Sequence, residues 1–240
     1  ATTAPLVLPP FFVTVGNYIG MSAIVVLGLM LIGGAGGLMS FGQAAFVGIG
    51  AYTTAVLSTK FAVSPWLALP AGMILTAILA LALGYLTLSL AGHYLPFGTM
   101  AWAISLYYIA ANSKALGRFN GLSDVPPIGI LGYPLKNTGS FYLIWLIVLG
   151  AMMAIRNLLD SRSGRAIRAG GRHNEMAASF GIDTAGVSIR IFVFAAVLAA
   201  ISGWLFAHYV GFVNPTPFDL SAGFDYFFMA VIGGLNSVWG

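Results

Sequence analysis

The sequence predicts an all-α polytopic membrane protein, a helical bundle with glycine-interrupted helices and an internal repeat. Three observations lead there. Of 240 residues, 59% are hydrophobic and 7% charged, whereas an ordinary soluble domain carries about 25% charged residues; the mean hydropathy is +0.94. No Asp, Glu, Lys or Arg occurs from Ala1 to Thr59 or from Phe61 to Ser113, and each interval far exceeds the ~20 apolar residues that cross a bilayer as a helix. The apolar runs are continuous and rich in Leu, Ala, Ile and Gly rather than alternating, which argues for helices over a β-barrel.

Taken in order, the apolar runs place helices at about 12–32, 40–58, 66–90 and 94–111. A polar stretch from Asn112 to Thr138, rich in Gly and Pro, separates these from helices at about 140–155 and 189–210, and a last apolar segment begins near Phe224. This gives six or seven spans. Trp66, Tyr94, Tyr142 and Tyr209 fall near span ends, where amphipathic rings favour the headgroup region. The loop 156–190 carries Arg156, Arg162, Arg165, Arg168, Arg172 and Arg190, six of the ten basic residues, so it is expected on the cytoplasmic side, with Lys114, Arg118 and Lys136 outside. The net charge of +4 then reflects topology and not nucleic-acid binding. The absence of cysteine excludes structural disulfides and thiolate metal sites. The chain does not begin with Met, has no basic segment before its first apolar run and stops inside an apolar one, so it is expected to be part of a longer polypeptide, cut at both ends.

The stretch GGAGGLMSFGQAAFVGIGAY, Gly33 to Tyr52, holds seven glycines, and Ser40 and Gln43 are its only polar side chains before Tyr52. An unsatisfied backbone amide costs several kcal/mol in hydrocarbon, so a glycine-rich break needs cover from protein or a water-lined cavity. The alternative is close helix packing: Gly33 and Gly37 form a GxxxG, and Ala44 with Gly48 repeats the small-xxx-small spacing. GGLMS at 36–40 reappears as GGLNS at 233–237. Paired glycine breaks in related halves point to a translocation site at the repeat interface, which makes Gly36, Gly37, Ser40, Gly42, Gln43, Gly233, Gly234 and Ser237 the candidate path residues.

The interiors of the six complete spans lack Asp, Glu, Lys and Arg, the groups that ion-coupled transporters place there. Asp219 and Asp225 border the last segment, and His93 and His208 sit near span ends, where interfacial or packing roles suffice. The sequence has no P-loop motif, so energy for uphill transport would come from a partner. In the loop, SRSGRAIRAGGRHNEMAASFGID, Gly170 and Gly171 are expected to separate an Arg-bearing turn from a short second helix. Asn174 can cap that helix, Glu175 can meet its dipole, and Gly181 can end it. Met176 and Phe180 share a face, with Ala177 and Ala178 keeping the profile slim. A groove on a cytoplasmic partner could bury Phe180; alternatively it folds back on the membrane and the arginines serve topology alone.

The run EMAASFG, Glu175 to Gly181, resembles the EAA loop of ABC importer permeases, in which a cytoplasmic coupling helix docks into a groove of the ATPase subunit. Its surroundings, together with GGLMSFGQAAFVGIGAYTTAVL, NGLSDVPPIG and VIGGLNSVWG, resemble LivM-type permeases of branched-chain amino acid importers, over about Gly28 to Gly240. The resemblance implies a single transmembrane permease domain over 1–240, with the coupling helix in the loop 156–190. It implies a coupling role for Glu175, Met176, Ala177, Ala178 and Gly181, with Phe180 as the apolar contact and Arg165 and Arg168 as its charged rim. It further implies a second permease subunit, two ATP-binding subunits or domains that hold the ATP and Mg, an extracytoplasmic substrate-binding protein, and a place in the lipid of the bacterial inner membrane. No cofactor is expected in this chain, and the role is transport, not catalysis. Urea or short-amide importers use similar permeases, and a stand-alone secondary transporter or channel is the rival from another class. Two departures stand out: Gly170-Gly171 replaces a more helical sequence, and YLPFGTMAWAIS lacks the acidic residue that many relatives carry after this Thr, which bears on substrate.

Overall fold

The computed structural model describes residues 9–88, 95–130, 133–135, 137–172, 179–181 and 183–235. Its helices are α1 (Pro10–Met30), continued by a π-turn (Leu31–Ala35), α2 (Gln43–Lys60), α3 (Pro65–Leu88), α4 (Leu95–Asn112), α5 (Asn137–Asp160), α6 (Arg162–Arg172), α7 (Thr184–Val210) and α8 (Leu220–Gly233). Four segments are long and apolar enough to cross a membrane: Pro10–Ala35, Pro65–Thr87, Asn137–Asp160 and Thr184–Val210. The expected helices at 40–58 and 94–111 form as α2 and α4 but are not among these four. Gln43, Lys60, Asn112 and their Thr, Ser and Tyr residues lower their hydropathy.

α7 is the axis of the bundle, packed against α1, α2 and α3. Small residues let the backbones approach: a Cβ on Gly50 of α2 would stand 2.6 Å from the Ala200 Cα, and one on Gly28 of α1 would stand 3.2 Å from the Ala195 Cα. This is the close approach through small residues that holds membrane helices together without a hydrophobic driving force between them. Ser202 donates to the Met21 carbonyl at 2.8 Å, a polar link between buried helices. α3 and α5 lie outside the axis and leave Leu67, Ile74, Ile78, Leu146, Leu149 and Met153 exposed.

Several helix boundaries differ from expectation: α5 runs on to Asp160, past the predicted end at 155, so Arg156 is helical, and α8 begins at Leu220 rather than near Phe224. α7 begins at Thr184, five residues before the predicted start, because Asp183 caps it, Oδ1 accepting from the Gly186 amide at 3.0 Å. Arg190 therefore rides on the helix and not on a loop. The Arg-bearing turn before Gly170-Gly171 is in fact helix α6, which runs through both glycines to Arg172. Buried Ile167 holds α6 against α5 and α7, and that tertiary contact outweighs the ~1 kcal/mol per glycine that opposes helix.

At the opposite end, the polar stretch is stitched to the chain leaving α7. Leu122 and Val213 exchange backbone hydrogen bonds at 2.8 and 3.0 Å, and the Val125 amide donates to the Gly211 carbonyl at 3.1 Å. Gly129–Ile130 pairs antiparallel with Tyr133–Pro134, and Trp66 Nε1 donates to the Gly129 carbonyl at 2.8 Å.

Candidate functional site: the glycine breaks and the seam between α2 and α4

The first glycine segment is the place where α1 stops being an α-helix. The Gly36 amide donates to the Leu31 carbonyl at 3.0 Å across the wider π-turn, and Gly37 then takes φ +64°, a left-handed conformation suited to glycine. π-turns inside helices recur at functional sites. The chain from Gly36 to Gly42 is not helical, and α4 supplies what its backbone needs. The Phe41 amide donates to Thr99 Oγ1 at 3.2 Å, while the Thr99 hydroxyl donates to the Pro96 carbonyl at 2.9 Å. The Phe41 ring lies 4.8 Å from both Phe224 and Phe227 of α8. Thr99 was not singled out from sequence, since one Thr in an apolar run carries no distinguishing signal.

The second segment ends α8. Gly233 is its last residue and Gly234 has φ +98°, so in each GGL run the second glycine is left-handed. Leu235 of the second run lies beside the π-turn that precedes the first: a Cβ on Gly33 would stand 3.2 Å from Leu235 Cδ2. Ser237 lies outside the described residues.

Ser40 and Gln43 are buried, at 1% and 0% exposure. Ser40 Oγ accepts from the Gly42 amide at 3.4 Å. Neither Oε1 nor Nε2 of Gln43 has a hydrogen-bond partner among the described residues, although an unmet buried polar group costs about 1–3 kcal/mol. One turn further along α2, clefts open toward α4. A constriction of about 10 Å³ is lined by Gly42, Ala45, Thr99, Trp102 and Leu106, with α3 and α7 behind. A second cleft, of about 100 Å³, is lined by Ala45, Gly48, Tyr52, Leu106 and Tyr107 and reaches Pro215 and Phe218. Both include Ala45 and Leu106, so they run end to end along one face of α2, whose residues recur at helical spacing. The resulting seam is apolar, narrow and floored by small side chains.

A sequence comparison with known families matches residues 11–240 to the family described as the branched-chain amino acid transport system / permease component. The chain belongs to that permease family. It is 29% identical over 237 residues to the high-affinity branched-chain amino acid transport system permease protein LivM of Escherichia coli K12, covering 88% of this chain and 56% of the relative. It is 28% identical over 237 residues to the permease protein LivH of Salmonella typhimurium, covering 91% of this chain and 76% of the relative. The chain thus spans about half the length of its LivM relatives. No solved structure matches it.

In this permease the residues expected to couple to an ATPase are only partly described. Glu175, Met176, Ala177 and Ala178 lie outside the described residues. Phe180 is 80% exposed, and Gly181 has φ +79°. Arg165 and Arg168 project from α6 as exposed side chains. α6 packs on α5, on α7 and on the π-turn itself, so this basic helix touches the segment that leads into the first glycine break.

Proposed function

We propose that this multi-pass membrane permease forms part of the translocation path of an ABC importer for branched-chain or similar apolar amino acids, driven by ATP hydrolysis in partner subunits of the bacterial inner membrane. The observation that carries the reading is the seam between α2 and α4, with buried Ser40 and Gln43 at its glycine-rich end. Leu- or Val-like side chains need an apolar passage that does not hold them tightly, whereas their ammonium and carboxylate groups need dipoles. Leu235 of the second GGL run, beside the π-turn that leads into the first, favours a site where related halves join. The exposed apolar faces of α3 and α5 suit lipid and a second permease subunit. The exposed Phe180 suits docking to one of two ATP-binding subunits, and an extracytoplasmic binding protein would deliver the solute.

Reconstitution with these partners tests the reading: uptake should require ATP hydrolysis, and uptake that persists without it overturns the assignment in favour of a stand-alone transporter or channel. A ligand screen of the cognate binding protein decides the substrate. Selective stabilisation by urea or short amides would move the assignment to that class.

A further inference from the structure

A third cleft, apart from the seam, opens where α5 ends, α6 turns back and α7 begins. Its volume is about 440 Å³, within the ~300–1,000 Å³ usual for ligand sites. Leu158, Ile167, Ile191 and Phe194 make its wall, and Arg162 and Arg190 are its charged residues. Both arginines are exposed, and among the described residues the one ion pair is Arg156 with Asp160, so no described carboxylate neutralises either.

We propose that this cleft binds an anionic phospholipid of the surrounding membrane. Charge complementarity selects the occupant: two guanidinium groups with no carboxylate partner among the described residues, beside an aliphatic wall, fit a phosphate-bearing headgroup above acyl chain, and guanidinium forks match phosphate oxygens well. The location agrees. α5 and α7 are both long enough to span the membrane, so their shared end lies at the headgroup level. α6 is a short basic helix held to α5 and α7 by buried Ile167, and arginines clustered at a membrane surface attract anionic lipid. Because α6 also touches the π-turn before the first glycine break, the bound lipid would brace the element that leads into the seam. The inference goes beyond the transport reading and does not depend on the solute carried.

The permease in nanodiscs containing photoactivatable phosphatidylglycerol or phosphatidylcholine is the test, with cross-links mapped by mass spectrometry. Phosphatidylglycerol should label peptides at the ends of α5, α6 and α7 in preference to phosphatidylcholine. With about fivefold per arginine near the surface, R162Q/R190Q should reduce that preference roughly 25-fold. R165Q/R168Q, with the same change in charge outside the cleft, should reduce it far less. Phosphatidylglycerol should also raise the thermal midpoint of the unsubstituted permease more than phosphatidylcholine does, a reading independent of how the variants fold. Equal labelling by both lipids, equal loss in the two double variants, or labelling abolished when ATP-binding subunits assemble on the permease would each overturn the proposal; the last would make the cleft a protein interface. Loss of uptake with lipid labelling intact would count against the transport reading alone.

Discussion

Gly203 of α7 lies against the backbone of α2, where a Cβ would stand 2.8 Å from the Ala51 amide nitrogen and closer still to the Val47 carbonyl oxygen. Backbone cannot rotate aside as a side chain can, so any substituent here must separate the two most extensively packed helices of the bundle. Overpacking a tight interior costs about 1–3 kcal/mol, and Gly203→Val is expected at or above the upper end. Gly150 of α5 is the control, since an added Cβ meets nothing within 4 Å; Gly150→Ala should be neutral or stabilise by up to about 1 kcal/mol. Unfolding midpoints in detergent should fall for Gly203→Val and hold or rise for Gly150→Ala. Equal midpoints would show that the α2–α7 contact does not set stability.

At the outer end of α7, His208 is 3% exposed and its Nδ1 donates to the Pro126 carbonyl at 2.7 Å, which assigns the proton to that nitrogen because a carbonyl only accepts. The ring also lies 5.8 Å from Trp204, whose indole donates to the Pro65 carbonyl at 2.8 Å. His208→Ala should cost about 1–3 kcal/mol by stranding the Pro126 carbonyl and should expose the segment 113–128 to protease. His208→Asn, whose amide can donate from nearly the same place, should recover part of both. Unchanged proteolysis in the Ala variant would mean that the Leu122–Val213 bridge alone pins the segment.

The helices were legible because uninterrupted apolar runs leave little choice of structure. Their misjudged ends have physical reasons. Asp183 ahead of Thr184 is an N-cap signal, but Arg190 weighs against extending a membrane helix that far toward it. Gly170-Gly171 reads as a hinge until Ile167 is seen packed into the bundle. The glycines between Gly33 and Tyr52 invited a choice between packing and pathway, and the structure divides them by face: Gly50 meets Ala200, whereas Gly42 and Gly48 line the clefts toward α4. No sequence pattern reveals which helix packs on which, so the seam, Thr99 and the basic cleft became visible only with the fold.

The seam makes a separable prediction about Gly42 and Gln43. A Cβ on Gly42 would stand 3.3 Å from the Thr99 carbonyl oxygen, and the adjoining space of about 10 Å³ has no room for the branches of a leucine. Gly42→Leu should abolish uptake while the purified complex keeps its subunit composition. Gln43→Leu removes two buried polar atoms without described partners; it should leave thermal stability equal or higher yet lower uptake severalfold or more. Normal uptake by both assembled variants would return the stretch to a packing role.

The coupling reading rests on Phe180, whose 80% exposure leaves a large apolar side chain that no described residue covers. Phe180→Ala should therefore change the stability of the isolated permease by no more than about 0.5 kcal/mol, as for other exposed positions. If an ATPase groove buries the ring, its removal forfeits about 1.5–3 kcal/mol of association, which is roughly tenfold or more in affinity. Arg165→Ala and Arg168→Ala lie on the exposed side of α6 and should act more weakly. Their effects should also shrink as salt is raised, because exposed charges are screened over ~10 Å at about 0.1 M. Association of the ATP-binding subunits and solute-stimulated hydrolysis, measured in the purified complex at low and high salt, separate the two kinds of contact. If Phe180→Ala leaves both at the unsubstituted level while the arginine changes alter only membrane orientation, the loop is a topology signal and the ATPase docks elsewhere.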